Sequence, residues 1–224
     1  IDLKQRARTL STELQGMGMR VAIVGEEAVG MPAAYFDELE MRNDIVLLLS
    51  TLGDTPWFKM TQRHSDRIWL FARADARPSK PLLPDDPSPA RQFRLVDLVL
   101  LHHGGERQVT STAEWMDAAE ATRVFHWNQM DENDARRLSR TMSGKSVGLV
   151  LSGGGARAYA HIGVMRALRE ANCPVDFIGG ASMGAIVGAA IACGWDDEEI
   201  HRRIYQAFVE TNPLSDYRLP VVGL

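Results

Sequence analysis

The chain is short of three things. It has only two cysteines in 224 residues, it has no run of 18 apolar residues, and basic residues (25 Lys and Arg) do not outnumber acidic ones (29 Asp and Glu). Each shortage closes off a class of protein. A formal net charge of −4 leaves no electrostatic footprint for nucleic acid. Without a long apolar run, no helix can span a bilayer. Cys173 and Cys193 stand in apolar surroundings inside or at the end of helices and read as small buried hydrophobes. His102 and His103 close an apolar strand at a carboxyl edge, a usual ligand position in open α/β sheets. No Cys, Asp or second His stands at metal-ligand spacing from them, so neither zinc nor any other metal or cofactor is expected. There is no internal repeat, and the only biased stretch is Arg77–Pro89, whose five prolines make it a loop.

What is present is ordinary globular composition, 45% hydrophobic and 24% charged, enough for one large domain or two modest ones. The organisation divides near Gly144, giving regions 1–144 and 145–224. In the first, apolar β-rich runs (Arg20–Val24, Asp44–Leu49, Ile68–Phe71, Leu95–Leu101 and Thr122–Trp127) alternate with helical patterns. The helical patterns are Ile1–Gln15, Pro32–Arg42, Trp57–Gln62, Thr112–Ala121 and Glu132–Met142. Near-continuous apolar strands alternating with helices predict an α/β fold of three layers, with mostly parallel sheets and flanking helices. Gly25–Gly30 follows the first strand where a phosphate loop would lie. It lacks Lys-Ser/Thr, and Glu26 and Glu27 would repel phosphate, so the region reads as a Rossmann-like or P-loop-like scaffold without a functional phosphate loop.

The chemistry-bearing residues lie between Leu151 and Gly184. Gly153-Gly154-Gly155-Ala156-Arg157 follows the apolar run Val147–Leu151, and Gly180-Ala181-Ser182-Met183-Gly184 follows Val175–Ile178. A strand, a Gly-flanked turn and a helix are how an exposed, activated serine is built, because small flanking residues permit the strained turn. Consecutive glycines at a helix start offer unobstructed N–H groups to a developing oxyanion. The 27 residues from Gly155 to Ser182 suit a helix returning to a neighbouring parallel strand.

With Ala160-His161-Ile162-Gly163-Val164 between them, these two turns make the segment resemble the start of a patatin-like phospholipase domain, most of all the bacterial branch related to neuropathy target esterase. Asn212–Tyr217 and Leu219-Pro220 are similar to the segment that follows in that family. Residues 1–145, with Asp54–Trp57, His64–Ile68 and Arg136–Arg140 as landmarks, resemble the region between cyclic-nucleotide-binding domains and the hydrolase domain. The resemblance implies Ser182 as nucleophile of a Ser–Asp dyad, with Gly153, Gly154 and Gly155 lining an oxyanion hole to which the Met183 N–H contributes. Arg157 would steady that loop, and Gly180 and Gly184 would shape the elbow. It implies a fatty-acyl ester or (lyso)phospholipid substrate, peripheral membrane contact, a cytoplasmic or membrane-peripheral location and a cyclic-nucleotide-binding region upstream. The dyad aspartate belongs to an Asp-Gly motif, and no Asp-Gly occurs here. The chain opens inside a helical pattern and stops without a closing element. It therefore reads as part of a longer protein, with the aspartate beyond Leu224 and these residues alone inactive.

Two other readings stay open. One is a non-catalytic regulatory module with a remnant hydrolase site. The other is a dinucleotide-binding protein: Gly153-x-Gly155-x-x-Ala158 matches the G-x-G-x-x-G/A fingerprint, and Asp176 follows Gly153 by 23 residues, near the place of the ribose acid. His161 shares a helix face with Arg157 and reads as structural rather than as a general base. Asp196 with Glu199 fits a capping box that opens a helix. The small, wholly apolar run Ala185–Ala192 is expected to be buried.

Overall fold

The computed structural model describes residues 1–79, 82–83, 95–104 and 111–211. The segment Asn212–Pro220 and most of the Arg77–Pro89 loop lie outside them. The chain divides into two units, Ile1–Lys145 and Ser146–Leu224. Both are α/β, and every strand pairing in them is parallel.

The N-terminal unit runs α1 (Leu3–Gly16), β1 (Val21–Val24), α2 (Ala33–Arg42), β2 (Ile45–Leu48), α3 (Pro56–His64), β3 (Arg67–Arg73), β4 (Leu95–His102), α4 (Thr112–Ala119), β5 (Arg123–Asn128) and α5 (Glu132–Met142). Helix starts follow local chemistry. Asp2 accepts from the Gln5 N–H, Thr55 from Phe58 with Pro56 in the first turn, and Asp131 from Asn133. Strands β1 and β2 form one sheet, and β3-β4-β5 form a second. In the second, β4 is central and buried beyond its first residue, which its unbroken apolar run requires. Leu70, Val96, Leu98 and Leu100 pack on Trp115 of α4. On the opposite face Val99, Leu101, Phe125 and Trp127 pack on Leu10 of α1 and Leu138 of α5. These are the three layers.

One charge sits inside that sheet. Asp97 of β4 is fully buried and receives Arg67 from β3 and Arg123 from β5, the latter at 2.8 and 3.1 Å. The two guanidinium groups also lie over the rings of Trp69 and Phe125. At the start of the other sheet, Arg20 clamps Asp44 through backbone N–H (2.8 Å) and guanidinium (2.9 Å). Those hydrogen bonds hold the Asp44 carboxyl down, to a pKa of about 2.

The second unit runs β6 (Gly148–Leu151), a 3-10 turn (Gly155–Tyr159), α6 (Ala160–Glu170), β7 (Phe177–Gly180), α7 (Met183–Ala192) and α8 (Asp197–Tyr205). Its core joins Leu149, Leu151 and Ile178 of the sheet to Ile162, Val187, Ala190, Ile200 and Ile204 of the three helices. Half of the Asp196–Glu199 capping box forms: Asp196 Oδ1 accepts from Glu199 N at 2.7 Å, while the Glu199 carboxylate accepts from Arg202 and Arg203. Asp197 receives Arg166 and Arg169 of α6 at 3.1 and 2.6 Å. Burial pushes its carboxyl up, but the two arginines outweigh this and hold it below the usual range.

Two expectations are corrected here. Helix α7 is buried along one stripe only (Gly184, Val187, Gly188, Ala190), and Ile186 is 42% exposed. Among the described residues its neighbours cover one face of the two-stranded sheet, and Val150 on the other face is 82% exposed. An all-apolar helix carries no pattern to say which side is covered. Cys173 and Cys193 are both exposed, Cys173 lying just past the end of α6 and Cys193 capping α7.

Asp97→Ala should cost about 3 kcal/mol in urea unfolding, since it strands two arginines at a buried carboxylate site. The low end of the range applies because the Arg67 and Arg123 side chains are 25% and 36% exposed and can reach water. For Asp44 the folded pKa lies below its unfolded value, so its contribution is complete above about pH 4 and is lost as pH falls towards 2. Asp44→Asn should flatten the acid side of a urea-midpoint profile over that window.

Candidate active site

Both glycine-rich turns leave the carboxyl ends of adjacent parallel strands, where open sheets place their sites. After Leu151 the chain turns through Gly154 and Gly155. Gly155 has φ +55°, a conformation open to glycine without strain. The Arg157 N–H closes this turn on Gly154 O at 3.1 Å. It is thus the backbone of Arg157 that enters the turn; its side chain is exposed.

The second turn is tied to the first strand by Ala181 N donating to Leu151 O at 3.0 Å. Ser182 follows with φ 52° and ψ −128°, outside the regions open to a residue with a side chain. Such strain costs on the order of 1–3 kcal/mol and persists only where the surroundings enforce it. The Ser182 hydroxyl does not cap α7, although serine at that position ordinarily would, and the residue is exposed. Met183 is the first residue of α7, so its N–H belongs to the positive end of the helix.

Three glycines let these pieces meet. A Cβ at Gly180 would lie 2.6 Å from the Gly184 carbonyl group. One at Gly184 would lie 2.5 Å from Leu151 O and closer still to Ser152 O. One at Gly153 would lie 3.1 Å from Ser182 Cβ. The triple-glycine turn and the serine elbow are therefore in direct contact. His161, in the first turn of α6, points its Nε2 at Ser152 O, 2.9 Å away.

The residues weighed for other chemistry fall elsewhere. Asp176 lies at the amino end of β7, where its carboxylate accepts from the Val147 N–H at 2.9 Å. The carboxyl end, where a ribose acid would stand, carries Gly179 and Gly180. After β1, the Glu27 carboxylate accepts from Gly25 N at 2.9 Å and occupies the place a phosphate would need. Backbone hydrogen bonds, its own and that of Gly25, hold its pKa down. Packing gives His102 a partner that sequence spacing did not show, since its Nε2 lies 2.8 Å from His126 Nδ1. Among the described residues no group of three His, Cys, Asp or Glu could hold a metal ion. No helix among them is long and apolar enough to cross a membrane. A cavity of about 560 Å3 lies in the N-terminal unit between β2, Trp69 and Phe71 of β3, and Leu3, Ala7 and Leu10 of α1. Ser65, which stands between His64 and Asp66 in its lining, donates its hydroxyl to Thr61 O at 2.6 Å.

The patatin-like phospholipase family profile matches residues 149–219, the stretch that holds both turns. That stretch is patatin-like in sequence. Outside the profile the likeness extends further. Human patatin-like phospholipase domain-containing protein 6 is 30% identical over 186 residues, which is 71% of this chain and 14% of that protein. The lysophospholipase NTE1 of Coccidioides immitis is 54% identical over 71 residues, 32% of this chain and 4% of that protein. The Caenorhabditis elegans patatin-like phospholipase domain-containing protein ZK370.4 is 47% identical over 77 residues, 34% of this chain and 6% of its own length. The chain thus spans a small fraction of the curated relatives it matches. No solved structure matches it.

Gly184→Ala should destabilise the chain by about 1–3 kcal/mol in urea unfolding, because the added methyl meets backbone atoms that cannot rotate away. Gly163→Ala, where a Cβ meets nothing within 4 Å, is the control and should unfold at the wild-type midpoint or above it.

Proposed function

We propose that this segment is the nucleophile-bearing half of a serine ester hydrolase acting on a fatty-acyl ester of the phospholipid or lysophospholipid class. The observation that carries the reading is a strained, exposed serine whose hydroxyl leaves its own helix uncapped, set against a triple-glycine turn.

Ser182 Oγ attacks the ester carbonyl carbon as a carboxylate takes its proton. That base is the aspartate of a Ser–Asp dyad outside these 224 residues, so residues 1–224 alone are inactive. The carbonyl π electrons move to oxygen, and the N–H groups of Gly153, Gly154, Gly155 and Met183 stabilise the oxyanion. Collapse expels the alcohol, which recovers the proton and leaves an acyl-serine. Water then attacks the acyl carbon, the same base takes its proton, and the fatty acid departs as Ser182 Oγ is reprotonated. Arg157 steadies the oxyanion turn through its backbone, and Gly180 and Gly184 admit the elbow. Neither metal nor cofactor enters any step. The names of the relatives, phospholipase and lysophospholipase, supply the substrate class. Access to such a substrate calls for peripheral contact with a membrane, in the cytoplasm or at its boundary, with a cyclic-nucleotide-binding domain upstream.

A fluorophosphonate probe on the full-length protein tests this. Labelling and lysophospholipid hydrolysis should both vanish in Ser182→Ala while the melting temperature holds. A wild type that takes no label supports a regulatory module with a remnant site.

A further inference from the structure

We infer that His161 is a positioning residue for the oxyanion turn, a role that rests on the hydrolase reading and adds to it. A carbonyl oxygen only accepts, so the 2.9 Å contact to Ser152 O puts the proton on His161 Nε2. That nitrogen is therefore a donor, committed to the backbone, and is not the acceptor a general base for Ser182 would need.

The carbonyl it holds matters because of peptide geometry. Ser152 C=O and Gly153 N–H are opposite ends of one planar trans peptide, so fixing the direction of the oxygen fixes the direction of the N–H. Gly153 is the member of the turn that abuts Ser182. Glycine on the C-terminal side would otherwise let this plane rotate, since Gly153 has no side chain to resist it.

The Ser152 carbonyl is gripped from a second direction. It lies so close to Gly184 that no Cβ fits there, so α7 bars its movement on that side. His161 holds it from the α6 side. The loop from Ser152 to His161 is thereby closed into a ring by a side chain nine residues on, without touching the nucleophile. Pre-set donors stabilise an oxyanion because they need not reorganise during the reaction. Releasing this clasp leaves the N–H groups present and lets them point away for part of the time.

The test uses the full-length protein with His161→Leu, which removes the donor, and His161→Gln, whose amide Nε2 offers an N–H near the same place. kcat and KM on a lysophospholipid, the phosphonylation rate of Ser182, the melting temperature and amide exchange of the 152–157 segment are measured together. His161→Leu should lose about 10- to 100-fold in kcat and in phosphonylation rate with KM within about twofold of wild type, and its 152–157 amides should exchange faster. His161→Gln should recover most of both rates and the slow exchange. If His161→Leu keeps the wild-type kcat, or if a folded His161→Gln falls as far as a folded His161→Leu, the clasp is overturned while the hydrolase reading stands. Should His161→Leu fail to fold, a folded His161→Gln decides: wild-type kcat and exchange uphold the clasp, and a large loss of either overturns it. A wild type that neither labels at Ser182 nor cleaves ester overturns both together.

Discussion

The second unit depends on how closely two backbone turns approach each other. The end of β6 and the start of α7 come together at a distance that only glycine at 184 permits, and the end of β7 passes under α7 only because residue 180 is glycine. Everything at the candidate site follows from that contact. It holds Ala181 on Leu151, leaves Ser182 in a backbone conformation it would not choose, and brings Gly153 against the serine. Packing of the shared core (Leu151, Ile162, Val187 and Ile200) holds the strained turn in place.

The N-terminal unit is built on a different constraint. Its three-stranded sheet is covered on both faces, so β4 has no route to water, yet it carries an aspartate. Two arginines from the flanking strands make this tolerable, and each keeps part of its length in solvent while lying over an aromatic ring. Among the described residues the carboxyl ends of these strands show no comparable preparation for catalysis. A carboxylate closes the loop after β1, and a histidine pair spans β4 and β5. This unit is a parallel α/β scaffold, and scaffold and activity are separable.

Much of this was legible beforehand. The five strands and five helices of the first unit lie within a few residues of where apolar runs, caps and prolines put them. Thr55-Pro56 opens α3 and Asp131 opens α5 by chemistry contained in three or four consecutive residues. The two glycine turns could be located for the same reason. The misses have a common cause. Cys173 and Cys193 have apolar neighbours in sequence, yet both are exposed. The run Ala185–Ala192 is apolar all round, so nothing in it marks the side that faces solvent.

The sequence by itself determined the local conformations: where strands end, where helices begin, and which turns can take a positive φ. These depend on propensities and hydrogen bonds within a few residues. Tertiary structure alone decided the partnerships: Gly184 against Ser152, His161 on the Ser152 carbonyl, and His102 beside His126. Each joins groups that chain proximity does not bring into register, and packing of the two cores supplies the free energy that holds them at contact distance.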